Sequence, residues 1–205
     1  MHNLIRLKKD QVKPAARALA RGFQDYPLWV RAFPDAAERE QKALPSMFKF
    51  FVTYGVRYGE VYATPNFEGV AIWFIPDKIN MTMIRMMRTG ALKFAFKAGL
   101  KHMFKLMTAD KVAKETHNRL VKSRHWYLFI LGVDSIYQGK GYASALLKPL
   151  ITRIDNEDLP IYLETHDEKT VPLYKHFGFK LIEKANITNL DMTSNAMLRE
   201  VVREP

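Results

Sequence analysis

"HWYLFILGVDSIYQGKGYASALL", residues 125–147, joins three kinds of sequence in one order. Residues 125–133 are almost all apolar, which predicts a strand with both faces covered. A loop with Gly139 and Gly141 follows, and the alanine- and leucine-rich run after it predicts a helix. The first N–H groups of such a helix have no intrahelical partner, so this arrangement favours a phosphate-binding loop.

The glycines agree with that prediction, because a glycine lets the main chain approach an anion without a Cβ in the way. Ala143 keeps the first helical turn similarly free of bulk. The loop is not a dinucleotide fingerprint, since Ser144 stands in place of the last glycine of G-x-G-x-x-G. It is not a Walker loop either, because no G-K-[ST] follows.

Further strands predict a mixed α/β fold. "PIYLET", residues 160–165, follows the strand at residues 125–133 at the spacing of a βαβ unit and should pair with that strand in parallel. "EVYAT" and "GVAIWFI", separated by "PNFEG", predict an antiparallel hairpin. "FKLIEKANI" and "AMLREVV" predict two more strands near the carboxyl end.

Two helices are expected before the hairpin, and the chain is short for two typical domains. The first should run from Asp10, as its N-cap, to Gln24. The second should cover residues 34–59 with an interruption near Pro45. We expect one domain over residues 1–205.

The net charge of +11 is concentrated in one segment. Between Lys78 and Arg124 there are twelve lysines and arginines but only two acidic residues, Asp110 and Glu115, so the segment carries +10. We interpret residues 77–124 as a basic, methionine-rich helical insertion between the third and fourth strands. A rival interpretation is a surface that binds nucleic acid or an anionic membrane, although no nucleic-acid reader motif is present.

Helical spacing divides this segment into two faces. Four apolar residues are expected to form one buried face: Phe96, Leu100, Met103 and Met107. Four lysines are expected to form a separate stripe in solvent: Lys93, Lys97, Lys101 and Lys105. Lysines cannot share a buried face without a severe desolvation cost.

The absence of cysteine excludes disulfides and thiolate zinc sites. The six histidines show no metal-ligand spacing such as H-E-x-x-H, and we expect no metal. The amino terminus lacks the apolar core of a signal peptide, and no apolar run approaches the roughly 20 residues of a membrane span. These features favour a cytoplasmic protein.

Two motifs resemble the GNAT acetyltransferase superfamily. Gln138, Gly141 and Ala143 match its acetyl-CoA-binding signature, Q/R-x-x-G-x-G/A, and Gly139 is the additional glycine common in that family. "LYKHFGF", residues 173–179, resembles the family's second signature, a helix with a tyrosine followed by Gly-Phe. The resemblance covers residues 125–190, and residues 77–124 are longer than the family's usual connection.

Within the superfamily, "YLETHDEKTVPLYKHFGF" is most similar to the branch that contains puromycin N-acetyltransferase. The family resemblance implies a central mixed, largely antiparallel sheet flanked by helices. Its parallel pair of strands should splay apart to admit CoA. One residue departs from the pattern, because Asp167 stands where an asparagine is common seven residues before the tyrosine.

The resemblance implies acetyl-CoA as the acyl donor and assigns residues to hold it. Leu131, Gly132 and Val133 should pair with the amide arm of CoA, and the Val133 N–H should polarise the thioester carbonyl. The loop should hold the pyrophosphate through main-chain donors. The cofactor-binding residues expected there are Gln138, Gly139, Lys140, Gly141, Tyr142 and Ala143.

The resemblance also places Tyr174 beside the CoA sulfur as the general acid. Glu164 is the first candidate for the general base, because a carboxylate in so apolar a strand needs a partner or a purpose. A structural role for Glu164 remains open. Glu60, Asp25 and His125 are further candidates for the base.

These residues predict an acetyl-CoA-dependent N-acetyltransferase that acts on a primary amine, preferably of a small molecule, by direct attack in a ternary complex. One alternative is a protein or peptide N-acetyltransferase, or an enzyme that transfers another acyl group. The alternative from another class is a non-catalytic CoA-binding module that docks to an anionic surface through residues 78–124. The acceptor cannot be named from the sequence, and a homodimer is left open.

Overall fold

The computed structural model describes residues 3–98 and 100–201, with the side chains of 97, 98, 100, 101 and 103 left out. In this part of the chain seven strands form one sheet: β1 (Ile5–Arg6), β2 (Glu60–Ala63), β3 (Gly69–Phe74), β4 (Trp126–Val133), β5 (Ile161–Thr165), β6 (Lys180–Ile187) and β7 (Met192–Arg199). The α-helices are α1 (Val12–Gly22), α2 (Pro27–Ala32), α3 (Ala36–Glu38), α4 (Leu44–Tyr58), α5 (Met83–Arg88), α6 (Ala91–Ala98), α7 (Leu100–Leu120), α8 (Tyr142–Asp155) and α9 (Val171–His176).

The strand order confirms the predicted fold class. It is β1-β2-β3-β4-β5-β7-β6. β4 and β5 pair in parallel, and the other neighbouring strands of the described residues pair antiparallel. β2 and β3 form the predicted hairpin, and α5 to α7 lie in the chain between β3 and β4 as expected.

Two apolar cores cover the two faces of the sheet. On one face, residues of α1 and α4 pack against Val70 and Ile72 of β3. On the other face, residues of α8 and α9 pack against Trp73 of β3, Leu128 of β4 and Leu163 of β5. The central strands are therefore covered on both sides, which is the reason for their nearly continuous apolar sequence.

A β-bulge interrupts the alternation of β4. Ile72 of β3 pairs with Ile130. The next β3 residue, Trp73, pairs with Leu128, which leaves Phe129 as an extra residue in β4. Phe129 and Ile130 both pack against the α1–α4 core, whereas Leu128 packs against the α8–α9 core. Two consecutive side chains thus lie on one face, as a bulge requires.

One predicted detail of the amino-terminal helices is wrong, and another is confirmed. α1 begins at Val12, and Asp10 is not its N-cap but lies inside the 3-10 turn Lys9–Gln11. That turn is closed by the Gln11 side chain, which accepts from the Lys8 N–H at 2.9 Å. The second α-helix is interrupted just before Pro45, as predicted: the π-helical turn Arg39–Ala43 separates α3 from α4. Pro45 lies in the first turn of α4, where its missing N–H is tolerated.

The predicted buried face of the insertion is also wrong. Phe96 is 92% exposed and Met107 is 60% exposed, while the side chains of Leu100 and Met103 lie outside the described residues. α6 instead buries Phe94, whose ring stacks on Phe50 with centroids 6.1 Å apart. α6 has apolar residues on more than one face. The packing of α4 determines which of these faces is buried.

The lysine stripe agrees with its prediction only in part. Lys93 is exposed. Lys105 is half-buried, and its ammonium group donates to the Arg31 carbonyl at 3.3 Å. The side chains of Lys97 and Lys101 lie outside the described residues.

Gly22 and Gly132 allow α1 to lie close to the end of β4. A Cβ on Gly132 would lie 2.5 Å from the Phe23 ring and 2.6 Å from the Leu19 side chain. A Cβ on Gly22 would lie 2.3 Å from the Val133 carbonyl oxygen. All three distances are far below van der Waals contact, so both positions require glycine.

Replacing Gly132 by alanine should lower the free energy of unfolding by about 1–3 kcal/mol, because the neighbouring side chains must move. Gly22→Ala should destabilise more, since the Val133 main chain cannot rotate away. Urea unfolding measures both effects, with Glu40→Ala on an exposed position as the control. Unfolding midpoints equal to that of the unmodified protein would contradict this account of the α1–β4 contact.

Candidate active site

β4 and β5 separate shortly after they meet. Their pairing covers three residue pairs and ends at Leu128 and Leu163. β4 continues along β3 to Val133 with no β5 partner among the described residues. The separation coincides with the bulge at Phe129, and a bulged strand bends away from its neighbour. The predicted splay between these strands is therefore present.

The register shows which main-chain groups face this opening. The Asp134 N–H donates to the Glu68 carbonyl at 2.9 Å, so these two residues form a hydrogen-bonded antiparallel pair. Such pairs alternate with pairs whose main-chain groups point away from the partner strand. Val133 therefore directs its N–H and C=O away from β3, toward the opening, and by the same alternation so does Leu131.

Gly132 and Gln138 have structural roles that the sequence did not indicate. Gly132 directs its main-chain groups to β3, and its missing Cβ makes room for α1 rather than for the opening between strands. The Gln138 side chain donates to the carbonyls of Val133 and Gly22, at 3.1 and 3.3 Å. It thereby ties the loop to the end of β4. Contacts of these residues with CoA stay predictions.

The loop between β4 and α8 has the geometry of an anion cradle. Gly139 and Gly141 have φ angles of 76° and 83°, which favour glycine, and a Cβ on either would meet nothing within 4 Å. The first bond of α8 runs from the Ala145 N–H to the Gly141 carbonyl at 3.0 Å. The amides of residues 143 and 144 precede that bond and have no intrahelical acceptor. Lys140 places a cation beside the loop, where it donates to a main-chain carbonyl.

The second signature is a helix end that fixes a tyrosine. Gly178, with φ of 83°, follows α9, as predicted, and its N–H donates to the Lys175 carbonyl at 3.0 Å. The Phe179 N–H donates to the Tyr174 carbonyl at 3.1 Å. These two bonds form a Schellman motif, and the Tyr174 and Phe179 rings make its apolar contact at 5.9 Å. The glycine and the second phenylalanine of "LYKHFGF" thus orient Tyr174.

Tyr174 is buried, yet its hydroxyl has no hydrogen-bond partner among the described residues. Burial raises the pKa of Tyr174 well above its ordinary value, and the neighbouring Tyr26 raises it further. The phenol is therefore protonated at neutral pH. It can donate a proton to a bound ligand.

Glu164 lies at the point where β4 and β5 separate. Its carboxylate accepts hydrogen bonds from the Tyr127 hydroxyl at 2.7 Å and from the Tyr162 hydroxyl at 2.8 Å. Burial raises the pKa of Glu164 to about 7, although these two hydrogen bonds lower it and Asp110 raises it slightly. A carboxyl group with this pKa exchanges a proton readily near neutral pH.

The other candidates for the base have different surroundings. Glu60 forms ion pairs with Arg6 at 3.1 Å and Arg153 at 2.8 Å, and Asp25 is exposed in the turn after α1. The surroundings of Glu60 indicate a structural role, whereas Glu164 lines a cleft.

His125 belongs to a buried histidine pair. Its Nδ1 donates to the Ser123 carbonyl at 2.7 Å, so in the neutral ring its Nε2 must accept from the His117 Nε2–H at 2.6 Å. Burial lowers the pKa of both rings, to about 4 for His117. Because both nitrogens of His125 are occupied, it has none left for a substrate.

The cleft beside Glu164 has a volume of about 40 Å³. Three aromatic rings (Phe74, Tyr127 and Phe129) line it together with the Asp110 and Glu164 side chains and His117. A larger hollow of about 310 Å³ at the β6–β7 turn holds none of the candidate residues. The smaller cleft is the candidate acceptor site because it contains the carboxyl group of raised pKa.

The opening between β4 and β5, the anion cradle and the Tyr174 helix agree with one family. The family model described as the acetyltransferase (GNAT) domain matches residues 68–193. This protein belongs to the GNAT acetyltransferase family.

Other comparisons agree that the chain is an N-acetyltransferase with the GNAT fold. It is 30% identical over 204 residues to an uncharacterized N-acetyltransferase of Schizosaccharomyces pombe, covering 95% of this chain and 82% of that protein. A structure described as histone acetyltransferase HPA2 and related acetyltransferase from Corynebacterium glutamicum superposes with a TM-score of 0.68 at 20% identity, covering 98% and 97% of the two chains. Arylalkylamine N-acetyltransferase 2 from Aedes aegypti superposes with a TM-score of 0.67 at 15% identity, covering 98% and 99%.

The acetyltransferase has two residues near its site that the sequence did not single out. The Tyr26 hydroxyl accepts from the His166 N–H at 2.7 Å, just after β5, and burial raises the pKa of Tyr26 to about 12. His166 has a buried Nε2 without a hydrogen-bond partner in the described part of the chain. No motif marks either residue, because Tyr26 reaches β5 only through the packing of the α1–α2 turn.

Two general features of this acetyltransferase concern metals and membranes. Within residues 3–98 and 100–201, no group of three or more histidine, aspartate and glutamate side chains could hold a metal ion. The independence from metals stays a prediction. None of the described helices is long and apolar enough to cross a membrane.

Glu164→Gln should make the acetyltransferase more stable at pH 8 but not at pH 4. The folded state raises the Glu164 pKa from 4.5 to about 7, so the native protein binds more protons than the unfolded chain between these values, and Glu164 destabilises the fold as pH rises. Melting temperatures of both proteins from pH 4 to pH 8 measure the effect. The control, Glu40→Gln, makes the same change at an exposed position outside the site. A stability difference for Glu164→Gln that stays constant from pH 4 to pH 8 would contradict the raised pKa.

Proposed function

We propose that this N-acetyltransferase moves the acetyl group of acetyl-CoA to the primary amine of a small molecule by direct attack in a ternary complex. The observation that carries the proposal is the position of Glu164. Its carboxylate, held by two tyrosine hydroxyls, lines a cleft at the opening between β4 and β5. The donor would enter that opening and the acceptor that cleft.

The donor site is supported by main-chain groups. GNAT acetyltransferases use acetyl-CoA, and the open side of β4 offers Leu131 and Val133 for its amide arm. In this proposal the Val133 N–H polarises the thioester carbonyl, because it is a donor fixed by a strand rather than by a mobile side chain. The glycine loop and the first amides of α8 hold the pyrophosphate, where the helix dipole adds attraction.

Proton transfer is assigned to two side chains. Glu164 accepts a proton from the attacking amine, since its pKa of about 7 lies near the working pH. Tyr174 returns a proton to the departing thiolate, since burial keeps its phenol protonated. Tyr26 lies within electrostatic range of both residues.

The size of the cleft limits the acceptor. A volume of about 40 Å³ makes this a narrow cleft, so it should favour a slim, unbranched aminomethyl end over a bulky one. The aromatic lining attracts the ammonium form before it loses its proton, whereas the Asp110 carboxylate in the same cleft is already paired with the Lys114 ammonium at 2.6 Å. A screen of primary amines, scored by release of free CoA, tests the function and ranks acceptors. If none of the amines causes release of CoA, the proposed function is overturned.

The alternative functions would use the same site. The end of a lysine side chain is also an unbranched aminomethyl group, so peptides belong in the screen beside small amines. Transfer of another acyl group is tested by replacing acetyl-CoA with longer acyl-CoA donors. A non-catalytic CoA-binding module would bind acetyl-CoA without releasing CoA. Membership of the puromycin N-acetyltransferase-like branch, cytoplasmic location and homodimer formation stay predictions.

Acetyl-CoA should stabilise the protein by about 2.7 kcal/mol at a hundredfold excess over its dissociation constant. Gly141→Val should abolish the thermal shift, because the loop can no longer hold its left-handed turn. Gly90→Val is a matched control, since Gly90 also precedes a helix with positive φ and open space. Gly90→Val should strain the backbone similarly, but acetyl-CoA should still raise its melting temperature. Loss of the shift in both variants would show a general effect of strain.

Tyr174→Phe should lower kcat by about 10²-fold or more and leave the dissociation constant of acetyl-CoA unchanged, because only the donated proton is lost. Steady-state kinetics and calorimetry measure the two quantities. Tyr58→Phe removes a hydroxyl at the end of α4 and serves as the control. Unchanged turnover in Tyr174→Phe would move the acid role to water or another residue.

The pH profile of turnover should show an inflection near pH 7, because Glu164 must be ionised to accept a proton. Ionisation of the amine itself adds a second rise near pH 10. Glu164→Gln should lower kcat by about 10²- to 10⁴-fold and remove the lower inflection alone. An inflection that persists in the variant would assign it to another group.

A further inference from the structure

The insertion exposes most of the large apolar side chains on the surface. In the described part of the chain nine large hydrophobic side chains are exposed, and seven of them lie between residues 83 and 107. They belong to consecutive helices: Met83, Ile84 and Met87 of α5, Leu92 and Phe96 of α6, and Phe104 and Met107 of α7. Such concentrated apolar exposure marks an interaction site.

The segment that contains these apolar residues also carries a strong positive charge. Residues 83–107 contain six lysines and arginines and no acidic residue. A second copy of this chain would bring the same charge against itself, and like charges across an interface are unfavourable. The charge therefore selects an anionic partner.

We propose that this α5–α7 surface docks on the anionic face of a phospholipid bilayer. Its apolar residues are methionine, isoleucine, leucine and phenylalanine, which suit the boundary between headgroups and acyl chains. The basic side chains reach the charged headgroups, since lysine and arginine extend past their apolar neighbours. The combination of both on one short segment is the composition of an interfacial helix.

Nucleic acid fits the surface less well. Single-stranded nucleic acid is held by aromatic rings that stack with bases, and duplexes are held by charged and polar groups. Five of the seven exposed apolar side chains are aliphatic. Contact with a polyanion would leave them in water, whereas a bilayer covers them.

The helices are arranged to lie on a bilayer rather than to enter it. α5 and α6 contain six and eight residues and are separated by Gly90, with φ of 99°. Phe94, on the other side of α6, anchors the segment to Phe50 of α4. The exposed face can therefore meet a bilayer while the buried face stays attached to the enzyme.

Vesicle flotation of the full chain tests the proposal. The probes are vesicles of phosphatidylcholine alone and vesicles in which about a third of the lipid is phosphatidylserine, an anionic lipid that gives a membrane surface a negative potential. The protein should float with the anionic vesicles at least about tenfold more than with the neutral ones. Raising the salt to about 0.5 M should weaken binding, because screening shortens the reach of the charges.

Paired variants separate the apolar and the charged contributions. Leu92→Ser with Phe96→Ser should lower partition at least about tenfold, whereas Ile182→Ser removes an exposed apolar residue elsewhere and should not. Arg88→Glu with Lys93→Glu should lower it by at least about 25-fold, at about fivefold for each basic residue lost. Lys9→Glu with Lys13→Glu is the control of equal charge.

The outcomes decide between occupants. These positions are exposed, so melting temperatures and CoA release with a soluble amine should stay unchanged in every variant. Absence of flotation with anionic vesicles would overturn the proposal, and so would equal losses in the control variants. Tighter retention on DNA or RNA than on vesicles would assign the surface to nucleic acid. A dimer in sedimentation that Phe96→Ser dissociates would assign it to a second copy.

Discussion

The single extra residue in β4 controls the geometry of the site. Because Phe129 is inserted opposite β3, β4 keeps its pairing with β3 to Val133 but loses β5 after Leu128. A regular β4 would continue to bond with β5, and its main-chain groups would be used within the sheet. The bulge instead leaves the Leu131 and Val133 groups unpaired by β5. It also leaves Glu164, the next residue of β5, at the mouth of the opening.

Tight packing of α1 supports this opening from one side. Gly22 and Gly132 bring the helix against β4 so closely that neither position admits a Cβ. The Gln138 side chain bridges both elements and the loop. The turn after α1 then carries Tyr26 to the end of β5, where its hydroxyl accepts from the His166 N–H. A contact that looks like core packing thus also positions a residue at the edge of the site.

Burial raises the pKa of both titratable groups proposed for proton transfer. It brings the pKa of Glu164 into the neutral range, where the carboxyl group can exchange protons. It raises the pKa of Tyr174 further above that range, so the phenol stays protonated. The same desolvation therefore has different consequences for the proposed base and the proposed acid, because the two groups start from different ordinary values. The apolar strand around Glu164, which destabilises its charge, is part of this tuning.

The sequence alone determined the elements whose signals are local. Apolar runs predict the succession of strands along the chain. Backbone conformations that only glycine adopts readily predict the loop before α8 and the helix end at Gly178. The assignment of Glu164 followed from one charge in an apolar strand, and its surroundings support that choice. The bulge, Tyr26, Tyr127 and His166 left no local signal, because they act through residues far away in the chain. The buried face of α6 was predicted wrongly for the same reason. Several of its faces are apolar, and only the tertiary contact of Phe94 with Phe50 decided which one meets the core and which one, with Phe96, meets the surroundings.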